Sequence, residues 1–185
     1  MLRKNEYFGL SSYGEGCSTI MSTVKCVFRQ ERDWTCSLAS FRTLLSGYLP
    51  LCDILSEDEY ISKYNITKGP YNSRDMYNTG LLDIVPYKAG FKYPCPETNQ
   101  AVFLTDLLED HNVMIECMIN AAHWIVLLGY VKLGSLEDDY FIYYDPYYHQ
   151  VRNIIADELI TMWYDVGTSP LQRDYIAVPK YRKEP

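Results

Sequence analysis

The segment Arg29–Ala39, which reads RQERDWTCSLA, is the most informative stretch of this chain. It places Gln30 six positions before Cys36, and Cys36 falls where a helix is predicted to begin. The partial positive charge at a helix N-terminus favours the thiolate form of such a cysteine. An amide side chain just upstream can donate a hydrogen bond to the oxyanion that forms when a thiolate attacks a carbonyl. The segment therefore predicts Cys36 as a nucleophile and Gln30 as part of an oxyanion hole.

A candidate base and a candidate orienting carboxylate lie on two later predicted strands. A β-hairpin that turns near Gly134 would place His123 opposite Asp145 and Leu127 opposite Phe141. Residues opposite each other in an antiparallel pair share a face, with their Cβ atoms about 5 Å apart. A slip of one residue would put His123 and Asp145 on opposite faces unless a β-bulge restored the match. This arrangement predicts His123 as the general base and Asp145 as the group that orients its imidazole.

Each of these residues also has an ordinary structural interpretation. A lone histidine can be a hydrogen-bonded core residue, and an Asp-Pro pair can simply end a strand. His149 is the substitute base if the hairpin register is wrong. The charge runs Ser56–Glu59, Glu137–Asp139 and Lys180–Lys183 are interpreted as solvated surface. Five further cysteines are interpreted as inert packing residues: Cys17, Cys26, Cys52, Cys95 and Cys117.

The order of elements predicts an α+β fold in which N-terminal helices pack on an antiparallel β-sheet. Apolar residues at spacings of three and four indicate helices, and Ser56 with Glu59 forms a capping-box pattern. The predicted helices are Thr35–Tyr48, a segment beginning at Ser56, the start of Thr79–Gly90, Thr98–Asp110 and Ala156–Tyr164. The predicted strands are Thr19–Phe28, Val113–Ile119, His123–Tyr130, Tyr140–Asp145 and Tyr175–Val178. Residues 1–18 and 65–80 are predicted to be irregular.

Length and charge restrict the class of protein. A chain of 185 residues is predicted to form a single domain, 1–185, that is large enough to bury a core. Its net charge of −7 argues against nucleic acid as a partner, because phosphate contacts require a basic surface. No apolar run approaches the ~20 residues of a membrane span, and no signal-peptide pattern follows Met1. We therefore expect a cytoplasmic protein. The candidate nucleophile predicts a protein or peptide substrate, and the oligomeric state stays open.

The six cysteines indicate neither a metal site nor a cofactor. None of them forms a Cys-x-x-Cys pair, and their spacing does not fit a zinc site. A chain of this size without a signal peptide is expected to keep its thiols reduced rather than paired in disulfides. The sequence therefore predicts no metal and no cofactor.

The candidate site residues together resemble a known family. Gln30, Cys36, His123 and Asp145 followed by Pro146 are similar to the site of papain-like peptidase domains of the bacteriocin-processing, double-glycine-leader type. A closer local resemblance is to the guanylyl cyclase-domain-containing family of eukaryotes, whose motifs read RQxxxWDCGLA, HFIVLxGY and FY(N/D)P. The corresponding segments here are Arg29–Ala39, His123–Tyr130 and Ile142–Pro146, and Tyr164–Ile176 resembles the C-terminal end of that family.

The resemblance implies a papain-like fold and attack of the Cys36 thiol on a carbonyl. Thr35 replaces an aspartate of the second family and Ser37 replaces a glycine, and neither change removes a catalytic group. Nucleotide cyclisation by known cyclases relies on paired carboxylates that hold two metals and on basic contacts to the triphosphate. The sequence shows no such set of residues and no Gly-rich phosphate loop.

Four functions stay open at this point. The residues favour a cysteine hydrolase, a peptidase or isopeptidase in which Cys36, His123 and Asp145 form a triad and Gln30 completes the oxyanion hole. An acyltransferase would use the same triad with an amine in place of water. A non-catalytic module that binds proteins would keep only the scaffold. Guanylyl cyclase activity follows from the family name alone.

Overall fold

The computed structural model describes residues 18–68, 72–119, 121–135, 137–163 and 173–180. Several predictions concern residues outside these ranges: the irregular segment 1–17 with Cys17, the family-like segment 164–172 and the basic tail beyond Lys180. The helices are α1 Cys36–Leu45, α2 Glu57–Tyr64, α3 Ser73–Asn78, α4 Gln100–Asp110 and α5 Ala156–Met162. The strands are β1 Ser18–Met21, β2 Lys88–Ala89, β3 His111–Ile119, β4 Ala121–Lys132, β5 Tyr140–Asp145, β6 Gln150–Ile155 and β7 Tyr175–Pro179.

The described strands form one sheet of seven strands. Its order is β2-β7-β3-β4-β5-β6, and β1 pairs with β4 beside this path. Strands β3 to β6 form a meander, because each is hydrogen-bonded to the next along the chain, and every pairing in the sheet is antiparallel. The predicted α+β class with an antiparallel sheet is confirmed. No described helix has the length and apolar character that crossing a membrane requires.

Helices cover both faces of the sheet. Successive side chains of a strand point to opposite faces, and on β4 the residues of both faces are apolar and buried. On β4, Trp124, Val126 and Leu128 belong to a core cluster that includes residues of α1 and α2. Ile125 and Leu127 belong to a second cluster, which is completed by α4 and α5. The predicted packing of the N-terminal helices on the sheet is therefore present, and α4 and α5 form a further layer on the opposite face.

The predicted register of the β4–β5 hairpin is wrong. Leu127 lies opposite Tyr143 rather than Phe141, so β5 is shifted by two residues relative to the prediction. Because side chains alternate with a period of two, a shift of two residues keeps every side chain on its predicted face. His123 and Asp145 are therefore diagonal neighbours on one face of the sheet instead of direct partners.

A β-bulge in β4 maintains this match of faces. The pairing with β5 shifts by one residue between Leu127 and Gly129, which makes Leu128 the extra residue. Without the bulge, the register that pairs Gly129 with Ile142 would continue to the end of β5 that carries Asp145. His123 would then lie on the opposite face from Asp145.

The connection between β4 and β5 explains the error in register. Asp139 was predicted to be solvated but is only 2% exposed. Its carboxylate accepts hydrogen bonds from the backbone N–H groups of Leu133 and Gly134 and from the Tyr130 hydroxyl. The connection closed around this carboxylate runs from residue 133 to residue 139, so its centre lies after Gly134 and the register differs from the one predicted for a hairpin that turns near Gly134.

Two other local predictions are wrong. Residues 65–80 include α3, which begins with a capping box formed by Asn72 and Asp75. A helix of this length is too short to show a hydrophobic period, and its Asn- and Ser-rich composition resembles that of a loop. The predicted strand Thr19–Phe28 ends early, because β1 stops at Met21.

The edges of the sheet were not predicted. The β6 sequence QVRNII mixes polar and apolar residues without clean alternation, and β2 has only two residues.

The helix predicted after Thr79 is a single 3₁₀ turn, Leu81–Ile84. By contrast, the capping box of Ser56 and Glu59 at the start of α2 is confirmed.

Candidate active site

Helix α1 brings Cys36 to the end of the sheet where His123 lies. Cys36 is the first residue of α1, and the rest of the helix is buried. One turn later, the Ser40 hydroxyl donates a 3.0 Å hydrogen bond to the backbone oxygen of Trp124, the neighbour of His123. Because residues four apart lie on the same side of a helix, this bond holds the Cys36 side of α1 against β4. The first backbone N–H groups of α1 have no acceptor within the helix and can serve an oxyanion.

His123 and Asp145 are joined by a hydrogen bond. The distance between Nε2 of His123 and Oδ1 of Asp145 is 2.9 Å, and the Asp145 side chain is fully buried. The same Oδ1 atom accepts backbone N–H bonds from Tyr147 at 3.0 Å and from Tyr148 at 3.3 Å. The turn that follows β5 therefore fixes the carboxylate in front of the imidazole.

The imidazole also interacts electrostatically with the thiol of Cys36. Burial lowers the pKa of His123, and interactions with Asp145 and with Cys36 raise it, so the thiol lies close to the imidazole. Since Asp145 takes Nε2, the remaining ring nitrogen, Nδ1, is the one available to the sulfur. The three side chains thus lie in the order thiol, imidazole, carboxylate.

Electrostatics favour a charged imidazole. Burial alone would lower the pKa of His123, but the hydrogen bonds with Asp145 and Cys36 outweigh it and raise the pKa to about 9. Burial alone would raise the pKa of Asp145, but the hydrogen bond and charge of His123 hold that pKa below its ordinary value. At neutral pH the pair is therefore imidazolium and carboxylate.

Gln30 is fixed to the strand end that carries Asp145. Its backbone N–H donates a 3.2 Å hydrogen bond to the oxygen of Pro146, and its side chain is 9% exposed. The side-chain Nε2 donates one hydrogen bond, 2.9 Å long, to the oxygen of Arg32. An amide nitrogen carries two hydrogens, so one N–H of Gln30 stays available for an oxyanion.

Sequence reasoning missed Glu57. The run Ser56–Glu59 was predicted to be solvated, yet the Glu57 side chain is fully buried. Both of its carboxylate oxygens lie 3.2 Å from the backbone nitrogen of Glu31. The sequence gives no sign of this burial, because neighbouring Asp58 and Glu59 have the same charge and are exposed.

The substitute base does not lie at the thiol. His149 follows Asp145 in the turn before β6 and has a left-handed backbone, with φ of 53°. Its Nδ1 lies 2.7 Å from the Tyr144 hydroxyl. His123 is therefore the histidine that the fold brings to Cys36.

The other described cysteines are free, as is Cys36. Cys117 lies directly opposite His123 in the β3–β4 ladder, and burial raises its pKa far above the ordinary value. Burial also raises the pKa of Cys95 to about 11. Both thiols are therefore poor nucleophiles, whereas Cys26 is half-buried and Cys52 is exposed.

A cleft opens beside Gln30. Its volume is about 670 Å³, and it is lined by Arg29–Asp33 on one side and by Tyr147 and Tyr148 on the other. Both tyrosines are about half exposed. This cleft lies between the loop that carries Gln30 and the turn that holds Asp145, and neither Cys36 nor His123 is among its lining residues. Within the described ranges, no group of three or more His, Cys, Asp or Glu side chains is arranged to hold a metal.

The sheet, the buried helix with Cys36 at its start and the histidine strand together form a papain-like fold. The structure is similar to the crystal structure of UfSP from C. elegans, with a TM-score of 0.54 and 17% sequence identity. The match covers 90% of this chain but 35% of the UfSP chain, so this chain spans about a third of UfSP. No family model and no curated protein matches the sequence. The resemblances to double-glycine-leader peptidases and to the guanylyl cyclase-domain-containing family stay predictions.

Proposed function

We propose that the chain is a cysteine hydrolase that cleaves peptide or isopeptide bonds in a protein or peptide substrate. One observation carries the proposal: Nε2 of His123 lies 2.9 Å from Oδ1 of Asp145. Cys36 interacts electrostatically with the same imidazole. A cysteine at a helix start, a charged imidazole and a buried carboxylate are the groups that activate a thiol. The papain-like fold supports the same chemistry.

In the first half of the reaction, Cys36 is acylated. His123 holds the proton taken from Cys36, and the thiolate attacks the carbonyl carbon to form a C–S bond. The negative charge moves to the carbonyl oxygen, where Gln30 and the backbone N–H of Cys36 donate hydrogen bonds, each worth about 3 kcal/mol in well-studied enzymes. The C–N bond then breaks as His123 gives its proton to the leaving amine. A thioester on Cys36 and a free amine result.

In the second half, water releases the acyl group. His123, now neutral, accepts a proton from water as the oxygen attacks the thioester carbon. The C–S bond breaks, and the thiolate and the imidazolium are restored together with a carboxylic acid product. Asp145 stays ionised throughout and keeps the ring oriented.

Burst kinetics with p-nitrophenyl acetate test the assignment of the nucleophile. We expect one equivalent of p-nitrophenolate to be released rapidly, with an acetyl thioester mapped to Cys36 by mass spectrometry. Cys36→Ala should lose the burst while its circular dichroism spectrum stays that of the wild type. The exposed, free Cys52 supplies the matched control, since Cys52→Ala should keep the burst. A full burst in Cys36→Ala would remove the proposal.

Hydrolysis and acyl transfer are separated by adding an amine to the same assay. If water is the acceptor, glycine amide should not accelerate the turnover that follows the burst. A rise in turnover with amine concentration, together with an acetylated amine product, would assign acyl transfer instead.

A further inference from the structure

A buried carboxylate lies directly behind the loop that carries Gln30. The Glu57 side chain is fully buried at the start of α2, and both of its oxygens are 3.2 Å from the backbone nitrogen of Glu31. Its carboxylate also lies 4.0 Å from Nη1 of Arg32. Burial raises the pKa of Glu57, and interaction with Thr35 opposes that shift. Burial of an ionisable carboxyl group is unfavourable unless specific partners compensate for it. All of these partners belong to the segment between Gln30 and Cys36.

The N-terminal cap of helix α2 is complete without this carboxylate. Ser56 and Glu59 form a complete capping box, in which the Ser56 side chain accepts from the Glu59 N–H and the Glu59 carboxylate accepts from the Ser56 N–H. Asp58 pairs with Arg32 at the surface. The hydrogen bonds of the Glu57 carboxylate are made to the loop and not to the cap of its own helix.

Three hydrogen bonds fix the backbone of this loop. The Gln30 N–H donates to Pro146, the Glu31 N–H donates to Glu57, and the Arg32 N–H donates to the Thr35 hydroxyl oxygen. The Glu31 N–H belongs to the peptide unit that joins Gln30 to Glu31. With the Gln30 N–H held by Pro146 and the Glu31 N–H held by Glu57, both planar peptide units that flank Cα of Gln30 are fixed. The direction of the Cα–Cβ bond of Gln30 is then fixed as well, and the bond from its Nε2 to the oxygen of Arg32 holds the amide.

We propose that Glu57 is a positioning residue for the oxyanion hole, which acts by holding the Gln30–Glu31 peptide so that the Gln30 amide points to the reacting carbonyl oxygen. The inference rests on the proposed function, since it requires an acyl group on Cys36. Glu57 itself touches neither the substrate nor the thiol. Its effect should therefore be confined to steps in which an oxyanion forms.

Two reactions of Cys36 separate this role from general destabilisation. Acylation by p-nitrophenyl acetate passes through an oxyanion, whereas alkylation by iodoacetamide displaces iodide at a saturated carbon and forms none. Glu57→Met keeps the length and helix propensity of the side chain but removes both acceptors. We expect it to slow acylation of Cys36 by about 10-fold and to change the alkylation rate by less than about 2-fold. Glu57→Gln, which keeps one neutral acceptor, should restore part of the acylation rate.

The control and a double-mutant cycle complete the test. Glu59→Gln removes one charge from the same helix and keeps its capping box, so both reactions should match the wild type. In a Gln30→Ala background, Glu57→Met should slow acylation by less than about 2-fold more, because both changes act through the same amide. Additive effects of the two substitutions would overturn the inference. So would an equal fall in acylation and alkylation.

The outcomes distinguish this inference from the proposed function. If wild-type Cys36 is neither acylated nor alkylated faster than Cys52, the proposed function fails first. If the wild type is active and Glu57→Met acylates at the wild-type rate, only the role of Glu57 fails. Should Glu57→Met not fold, Glu57→Gln decides the question, and an acylation rate lowered no more than the alkylation rate would overturn the inference.

Discussion

His123 and Asp145 are diagonal neighbours, not direct partners, on two adjacent antiparallel strands, and Nε2 of His123 lies 2.9 Å from Oδ1 of Asp145. Diagonal neighbours on one face of a sheet are within reach of a long or aromatic side chain, and the imidazole spans the gap. The bulge at Leu128 is what keeps the two residues on one face. The contact therefore depends on the strand geometry and not only on the two side chains.

Replacement of the carboxylate should impair catalysis more than stability. Asp145→Asn keeps the size of the side chain but presents His123 with a neutral amide, which no longer stabilises the imidazolium. We expect the acylation rate with p-nitrophenyl acetate to fall by about 100-fold or more. Asp157→Asn, at an exposed position in the first turn of α5, should leave the rate unchanged. A rate for Asp145→Asn within a few-fold of the wild type would show that Asp145 does not orient the base.

The two partners of His123 should be visible in its titration. Hydrogen bonds with Asp145 and Cys36 raise the pKa of His123 to about 9 despite burial, whereas burial lowers the pKa of His111 below its ordinary value. NMR titration of the imidazole Cε1 protons should therefore show His123 charged at neutral pH and His111 neutral. In Cys36→Ala the pKa of His123 should fall, because one of the groups that raise it is lost.

The raised pKa of His123 predicts how both stability and activity change with pH. Since the folded pKa of His123 lies above 6.5, the ion pair stabilises the fold fully below pH 6.5 and loses this contribution as pH rises through about 9. Amide cleavage should decline over the same interval, because a neutral imidazole cannot protonate the leaving amine. A His123 that titrates below its ordinary value would contradict the described contacts.

The docking of α1 on β4 should contribute to both stability and reactivity. Ser40→Ala removes the 3.0 Å bond from the Ser40 hydroxyl to the oxygen of Trp124. We expect the free energy of unfolding to fall by about 1 kcal/mol, measured by urea denaturation. The alkylation rate of Cys36 should also fall, because the helix start would be held less firmly against His123. Ser62→Ala, on the exposed side of α2, is the matched control and should change neither quantity.

Much of the site could be predicted from short segments of sequence. The helix start at Cys36 and the strands that carry His123 and Asp145 follow from local patterns of apolar residues and breakers. The register between those strands could not be predicted, because the buried Asp139 closes the connecting loop. Sequence reasoning placed the two residues on one face only because the error in register was an even number of residues.

The role of Glu57 illustrates what local patterns leave out. Its burial is a tertiary property, since the side chain is covered by the loop around Glu31 and not by residues of its own helix. A single domain over residues 1–185, a cytoplasmic location and the absence of nucleic acid partners stay predictions.

The most direct test of the central claim is the rate at which each cysteine reacts with iodoacetamide at about pH 6, mapped by mass spectrometry. If His123 and Asp145 activate the thiol, Cys36 should react at least about 10-fold faster than the exposed Cys52, although Cys36 is partly buried. His123→Ala should abolish that advantage and leave the rate of Cys52 unchanged. A wild-type Cys36 that reacts no faster than Cys52 would contradict the account.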